Sequence, residues 1–223
     1  TTPPDFTVWD NWVAKWPDAR LYAVYGLGSD FEGAGPGTPR FQRIMAEWLG
    51  ALVEHMQNQG LAPEQLVLLL VDEPHTPEQD ANFLRWAEAV QQADTGAVVW
   101  INPCHDDPAD ADPRLYEVAD ALSPSAARFV GSPQSYRDFF TAQKDAGKDL
   151  WFYSCVNGKH LDPITYHRGQ FWLAIEHGAV GSCFWAWGDE GGSGSSFRAY
   201  TSPWHMFSPL FLDPDMGVID GKH

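Results

Sequence analysis

QLVLLLVDEPHTPEQ, residues 65 to 79, decides how the rest of the chain is read. Leu66 to Val71 form an unbroken apolar run of strand length, and such runs suit strands covered on both faces, as in a parallel sheet. Thr76-Pro77-Glu78-Gln79 then opens a helix. Thr76 is placed to cap, Pro77 fits the first turn where its missing N–H loses nothing, and Gln79 completes a capping box with Thr76. Between strand and helix stand Asp72 and Glu73, adjacent carboxylates at the edge of a dry core, where each charge and the burial favour a retained proton on one of them.

The same strand-then-helix unit recurs in both directions. After an irregular lead-in, residues 1 to 18, ARLYAVYGL at 19 to 27 reads as a strand and is followed by a Gly-rich loop. A helix from Thr38 to Gln59 places Ile44, Met45, Trp48, Leu49, Leu52, Val53 and Met56 on one face, and Gly60 stops it. Downstream come strand 97 to 102, a helix near 112 to 118, strand 119 to 124 and a helix from Ser132-Pro133 to Ala146. Strand DLWFYS at 149 to 154, a helix opened by Asp162-Pro163 and closed at Gly178, and strand GSCFWAW at 181 to 187 complete the series. Strands and helices alternate without two successive helices, so the expected class is α/β with parallel strands. Six units, starting at 19, 65, 97, 119, 149 and 181, suit an open doubly wound sheet or part of a barrel. A closed barrel needs eight strands and about 250 residues.

Composition narrows the partners. At 223 residues with 44% hydrophobic and 20% charged content, the chain can bury one sizeable core, and a single domain spanning 1 to 223 is the default. A formal net charge of -16 argues against nucleic acid and anionic membranes, both of which need clustered Lys and Arg. No apolar run reaches the roughly 18 residues of a membrane span. Cys104, Cys155 and Cys183 are too scattered for a disulfide framework or a zinc site. Cys104-His105-Asp106-Asp107 looks like a metal cluster on paper, but consecutive loop residues rarely converge on one ion, so no metal is expected. Aromatics at 14% suit either a ring-rich core or the stacking faces that bind pyranoses.

In parallel α/β folds functional groups gather at the carboxyl ends of the strands. That rule singles out Tyr25 and Asp30, Asp72 and Glu73, Asn102, Tyr153 and Asn157, and Trp187 and Asp189. Trp151 and Tyr153 share a face by the two-residue alternation, as do Trp185 and Trp187. Catalysis by Asp72 and Glu73 stands against a plainer reading in which they cap the next helix or bind an arginine. Arg168 reads as a structural ion-pair partner, and His75 as a pocket-lining or solvent-facing residue.

LLLVDEP, then W-x-Y-x-C at Trp151, Tyr153 and Cys155, then the helix bearing Arg168, then the Gly-led strand ending FWAW, then DGKH at 220 to 223, together resemble the catalytic barrel of glycoside hydrolase family 123, the β-N-acetylgalactosaminidases, and related domains. The likeness runs from about residue 19 to the end. It implies a (β/α)8 TIM-type barrel, incomplete at its N-terminal strands and ending before the last helix, with β-sandwich material ahead of it in a longer parent. It also implies an extracytoplasmic setting, a carbohydrate substrate and no cofactor. In the implied mechanism Glu73 is the acid and then the base, and Asp72 orients the substrate's own acetamido group as the nucleophile. Tyr25, Asn102, Trp151, Tyr153, Trp185, Trp187 and Asp189 become the candidates for sugar binding, Tyr153 for the acetamido oxygen and Trp187 for stacking.

One observation fits substrate assistance. A two-carboxylate retaining enzyme needs a second acid about 5 Å from the first. If LLLVDEP is the fourth strand, the seventh ends Ser154-Cys155-Val156-Asn157, with no carboxylate before the helix-capping Asp162. The alternatives are a two-carboxylate glycosidase with Asp189 or Glu190 as nucleophile, and a barrel that binds carbohydrate without turning it over.

Overall fold

The computed structural model describes residues 4–25, 30–155 and 167–184. The chain divides into two compact units, Thr1–Ser123 with Ala142–Lys148, and Pro124–Thr141 with Asp149–His223.

In the first unit four strands, β1 (Tyr22–Val24), β2 (Leu66–Leu69), β3 (Val98–Ile101) and β4 (Ala121–Leu122), pair in chain order and all in parallel. The register sets Tyr22 beside Leu66, Leu69 beside Trp100 and Trp100 beside Ala121. Every residue from Leu66 to Leu70 is buried, as an unbroken apolar run in a parallel sheet demands. Four helices accompany these strands: α1 (Thr7–Lys15), α2 (Pro39–Asn58), α3 (Pro77–Ala93) and α4 (Arg114–Val118). The α2 face expected from periodicity is the one that is buried, with Met45, Leu49, Leu52, Val53 and Met56 in the core.

Capping chemistry sets the helix starts. Thr38 accepts the Phe41 N–H at the head of α2, and Thr76 accepts the Gln79 N–H at the head of α3. The expected capping box at α3 is displaced by one residue: Gln79 Oε1 accepts the His75 N–H at 3.1 Å rather than that of Thr76, and takes the Thr76 hydroxyl proton besides.

Two expectations need correction. The lead-in read as irregular contains α1, which forms because Trp9 and Tyr22 pack with ring centroids 5.3 Å apart and Trp9 Nε1 donates to Gln59, just past the end of α2. Asp10 Oδ1 takes bonds from His55 at 2.6 Å and Gln59 at 2.7 Å, and the His55 bond holds its carboxyl below the usual range. Second, two helices follow one another between β4 and the next strand: α5 (Ala126–Gly131) and α6 (Gln134–Asp145). The short α5 is anchored by buried Phe129, and Arg137 Nη1 donates to the carbonyls of Phe129, Val130 and Ser132 at its end, meeting acceptors a helix terminus leaves unpaired.

The second unit also holds β5 (Asp149–Ser154), α7 (Gly169–His177) and β6 (Gly181–Phe184), with β5 and β6 parallel and Trp151 opposite Gly181. Gly178 closes α7 in the left-handed conformation, as expected. No described helix is long and apolar enough to cross a membrane.

Candidate active site

Three adjacent strands of the first unit end close to one another and deliver one polar residue each. Tyr25 directly follows β1, Asn102 directly follows β3, and Asp72 lies three residues past β2. They converge on Asp72. The Tyr25 hydroxyl donates to Asp72 Oδ2 at 2.6 Å, and Asn102 Nδ2 donates to Asp72 Oδ1 at 2.7 Å. Each carboxylate oxygen therefore has one protein donor and keeps lone-pair capacity for a further one.

Glu73 is held through its backbone. Asn102 Oδ1 accepts the Glu73 N–H at 3.0 Å, and His75 Nδ1, when protonated, donates to the Glu73 carbonyl at 2.7 Å. The loop after β2 is tied once more to the loop after β3, where the Cys104 N–H donates to the Pro74 carbonyl at 2.9 Å. Glu73 itself has φ 46°, in the left-handed region that a non-glycine residue enters at a cost. Asp72 is exposed, Glu73 is half-buried and Asn102 is buried. Burial, then the bond to Asp72 and the charges of both acids, push the Tyr25 phenol well above its ordinary range.

This is an arrangement that can hold one carboxylate still while its neighbour handles protons. Its four members, Tyr25, Asp72, Glu73 and Asn102, are all residues that the strand-end rule picks out.

Trp151 and Tyr153 belong to the second unit and are buried on β5. The Trp151 ring covers Gly181, where a Cβ would lie 2.4 Å from it. Tyr153 makes a parallel bridge with Ser125. Trp185, Trp187, Asp189 and Glu190 lie outside the described residues, as do Asn157 and Asp162.

Two clusters have other roles. His105 is buried and pairs with the buried Asp80 at 2.9 Å, and Asp80 also accepts the Asp112 N–H, pinning the loop after β3 to α3 and to the start of α4. Among the described residues no group of three or more His, Cys, Asp or Glu is placed to hold a metal. In the second unit Gln170 of α7, which strand-end reasoning passes over, is buried and bonded throughout. It accepts from the Ser154 hydroxyl and donates to Ser182 Oγ at 2.9 Å and the Cys183 carbonyl at 2.7 Å. A lone amide within the apolar stretch from Gly169 to Ile175 is the signal that could have found it.

No protein-family model matches the chain, and no curated protein sequence matches it. Solved structures do. An endo-β-1,4-glucanase from Xanthomonas axonopodis pv. citri matches with TM-score 0.58 and 11% identity over 96% of this chain and 76% of that one. A second endo-β-1,4-glucanase from the same organism, a triple mutant, gives 0.54 and 10% over 90% and 70%. A family 123 glycoside hydrolase from Clostridium perfringens gives 0.47 and 13% over 68% and 26%, a score at which it does not bear on the family. The first two likenesses show the fold, α/β of the TIM-barrel type, to which the first unit contributes four described parallel strands and the second unit two.

Proposed function

We propose that this chain is a glycoside hydrolase that releases a terminal β-linked N-acetylhexosamine, with N-acetylgalactosamine as the first sugar to test. The observation that carries the reading is the Asp72–Glu73 pair at the carboxyl end of β2, with Asp72 fixed by donors from the two flanking strands. That is where barrel folds keep their chemistry.

In this reading the protonated Glu73 gives its proton to the glycosidic oxygen. The C1–O bond breaks as the substrate's 2-acetamido carbonyl oxygen attacks C1, leaving an oxazolinium ion. Asp72 uses its remaining lone-pair capacity to accept the acetamido N–H, which orients the group and offsets its positive charge. Glu73, now a carboxylate, takes a proton from water as that water opens the ring at C1, and the cycle closes with retention. An already anchored Asp72 needs little rearrangement as charge develops, which is how a fixed carboxylate contributes to rate.

The shared fold with two endo-β-1,4-glucanases supports glycoside hydrolysis and favours a second reading, a two-carboxylate retaining enzyme on a plain hexoside with Asp189 or Glu190 as nucleophile. An extracytoplasmic setting and a companion β-sandwich domain belong to the same proposal and rest on the sequence resemblance.

Substrate choice separates the readings. Aryl β-glycosides of N-acetylgalactosamine, N-acetylglucosamine and galactose should be cleaved only where the acetamido group is present, and Glu73→Gln should lower kcat about 10²- to 10⁴-fold. Cleavage of the galactoside, or of a β-1,4-glucan, would sink substrate assistance and move the search to Asp189 and Glu190. A folded chain that binds the sugars without cleaving them would make it a binding barrel.

A further inference from the structure

We infer that Asn102 is the positioning residue of the acid pair, fixing the carboxylate of Asp72 and the backbone of Glu73 with the two ends of one amide; the inference rests on the proposed hydrolase reading for its kinetic consequence only.

Adjacent residues of an extended chain send their side chains to opposite faces. Two consecutive carboxylates can serve one bond only if the backbone departs from that alternation, and here it does so at Glu73, with φ 46°. A strained conformation persists where its surroundings over-determine it. Three bonds do so: Asn102 Oδ1 with the Glu73 N–H, His75 Nδ1 with the Glu73 carbonyl, and the Cys104 N–H with the Pro74 carbonyl just beyond. Of these groups, Asn102 also reaches the other acid, at 2.7 Å.

The residue type follows from the geometry. The site needs an acceptor facing an N–H and a donor facing a carboxylate, a short distance apart in one plane, and a primary amide carries both. The same requirement fixes which end is oxygen, since the reversed amide would set NH₂ against N–H and oxygen against carboxylate. Asp offers the acceptor without the donor and adds a negative charge beside Asp72. Ala offers neither. Asn102 is buried, so water does not readily replace either bond.

The test uses Asn102→Ala and Asn102→Asp in the full chain, each checked for folding by thermal unfolding, with crystal structures and kinetics. Asn102→Ala should release Glu73 from positive φ or displace the Asp72 carboxylate. It should lower kcat about tenfold to a hundredfold with KM changed less than about threefold. Asn102→Asp keeps the acceptor, so Glu73 should stay left-handed. Its added charge should move the acidic limb of the pH–rate profile upward, because like charges disfavour ionisation of the pair. A crystal structure of Asn102→Ala with Glu73 and Asp72 unmoved, or kcat within about twofold of the parent with an unshifted profile in Asn102→Asp, overturns the inference. If the parent chain cleaves no glycoside, or Glu73→Gln is fully active, the hydrolase reading fails while the crystallographic comparison still decides whether Asn102 holds the turn. If Asn102→Ala does not fold, Asn102→Asp decides by its profile and by the position of Asp72.

Discussion

Two polar clusters, the acid pair of the first unit and the Gln170 network of the second, use their side chains in opposite ways. In the first, ionisable groups stand past the ends of the strands: Asp72 is exposed, Glu73 half-buried, and the bonds that hold them come from Tyr25 and Asn102. In the second, the polar cluster is neutral and buried, with Gln170 bonded to Ser154, Ser182 and the Cys183 carbonyl. The contrast follows from solvation. A charge in a dry interior is costly unless paired, whereas a neutral amide is tolerated there once each donor and acceptor is matched. A carboxylate meant to meet a ligand must stay where water or substrate can reach it. The open cluster thus leaves its acids within reach of solvent, and the closed one has the chemistry for holding α7 against β5 and β6.

That difference can be broken at either end. The largest stability effect is expected from Gln170→Leu, which takes a partner from two hydroxyls and from the Phe152 and Cys183 carbonyls and should destabilise the fold by about 2–4 kcal/mol in denaturant unfolding. A loss under about 0.5 kcal/mol would mean that the buried cluster carries little. Next comes Gly181→Ala. Its methyl would land 2.4 Å from the Trp151 ring, so the ring must move, and overpacking of this kind costs about 1–3 kcal/mol. The change should also appear as altered tryptophan fluorescence. The smallest is Tyr25→Phe, expected to stay within about 0.5 kcal/mol of the parent at neutral pH because the bond it removes is solvent-exposed, while kcat falls about tenfold. Its pH dependence has a definite sign. A phenol whose folded value is raised contributes stability that is fully present below the ordinary 10.0 and is lost as pH rises toward the folded value. Tyr25→Phe should therefore flatten the decline in stability above pH 10, and a parent chain whose decline is unchanged by the substitution would contradict the Tyr25–Asp72 bond.

What could be read in the chain depended on whether the signal was local. Apolar runs, helical periodicity and the cap at Thr76 are local, and the corresponding strands and helices stand close to their expected places. The strand-end rule needs only a strand's direction, so it reached Tyr25, Asp72, Glu73 and Asn102 together. The misses have non-local causes. α1 is held by Trp9 and Asp10 reaching residues of β1 and α2 far along the chain, and nothing in its own sequence marks a strong helix. α5 has only six residues, too few to show a period, and its end is sealed by Arg137 from the next helix. Gln170 was hidden because it lies on a helix, where a rule about strand-end residues does not look, although its partner Ser154 is the last residue of β5.

The left-handed turn at Glu73 has an evolutionary consequence. A glutamate gains nothing from φ 46° as a matter of backbone preference, whereas glycine or asparagine would adopt it with less strain. A library of this chain selected for heat resistance alone would therefore drift toward Gly or Asn at position 73, and each step would discard the acid. Retention of Glu at that position under prolonged selection would be a record of work done by the side chain, since folding gives no reason to keep it.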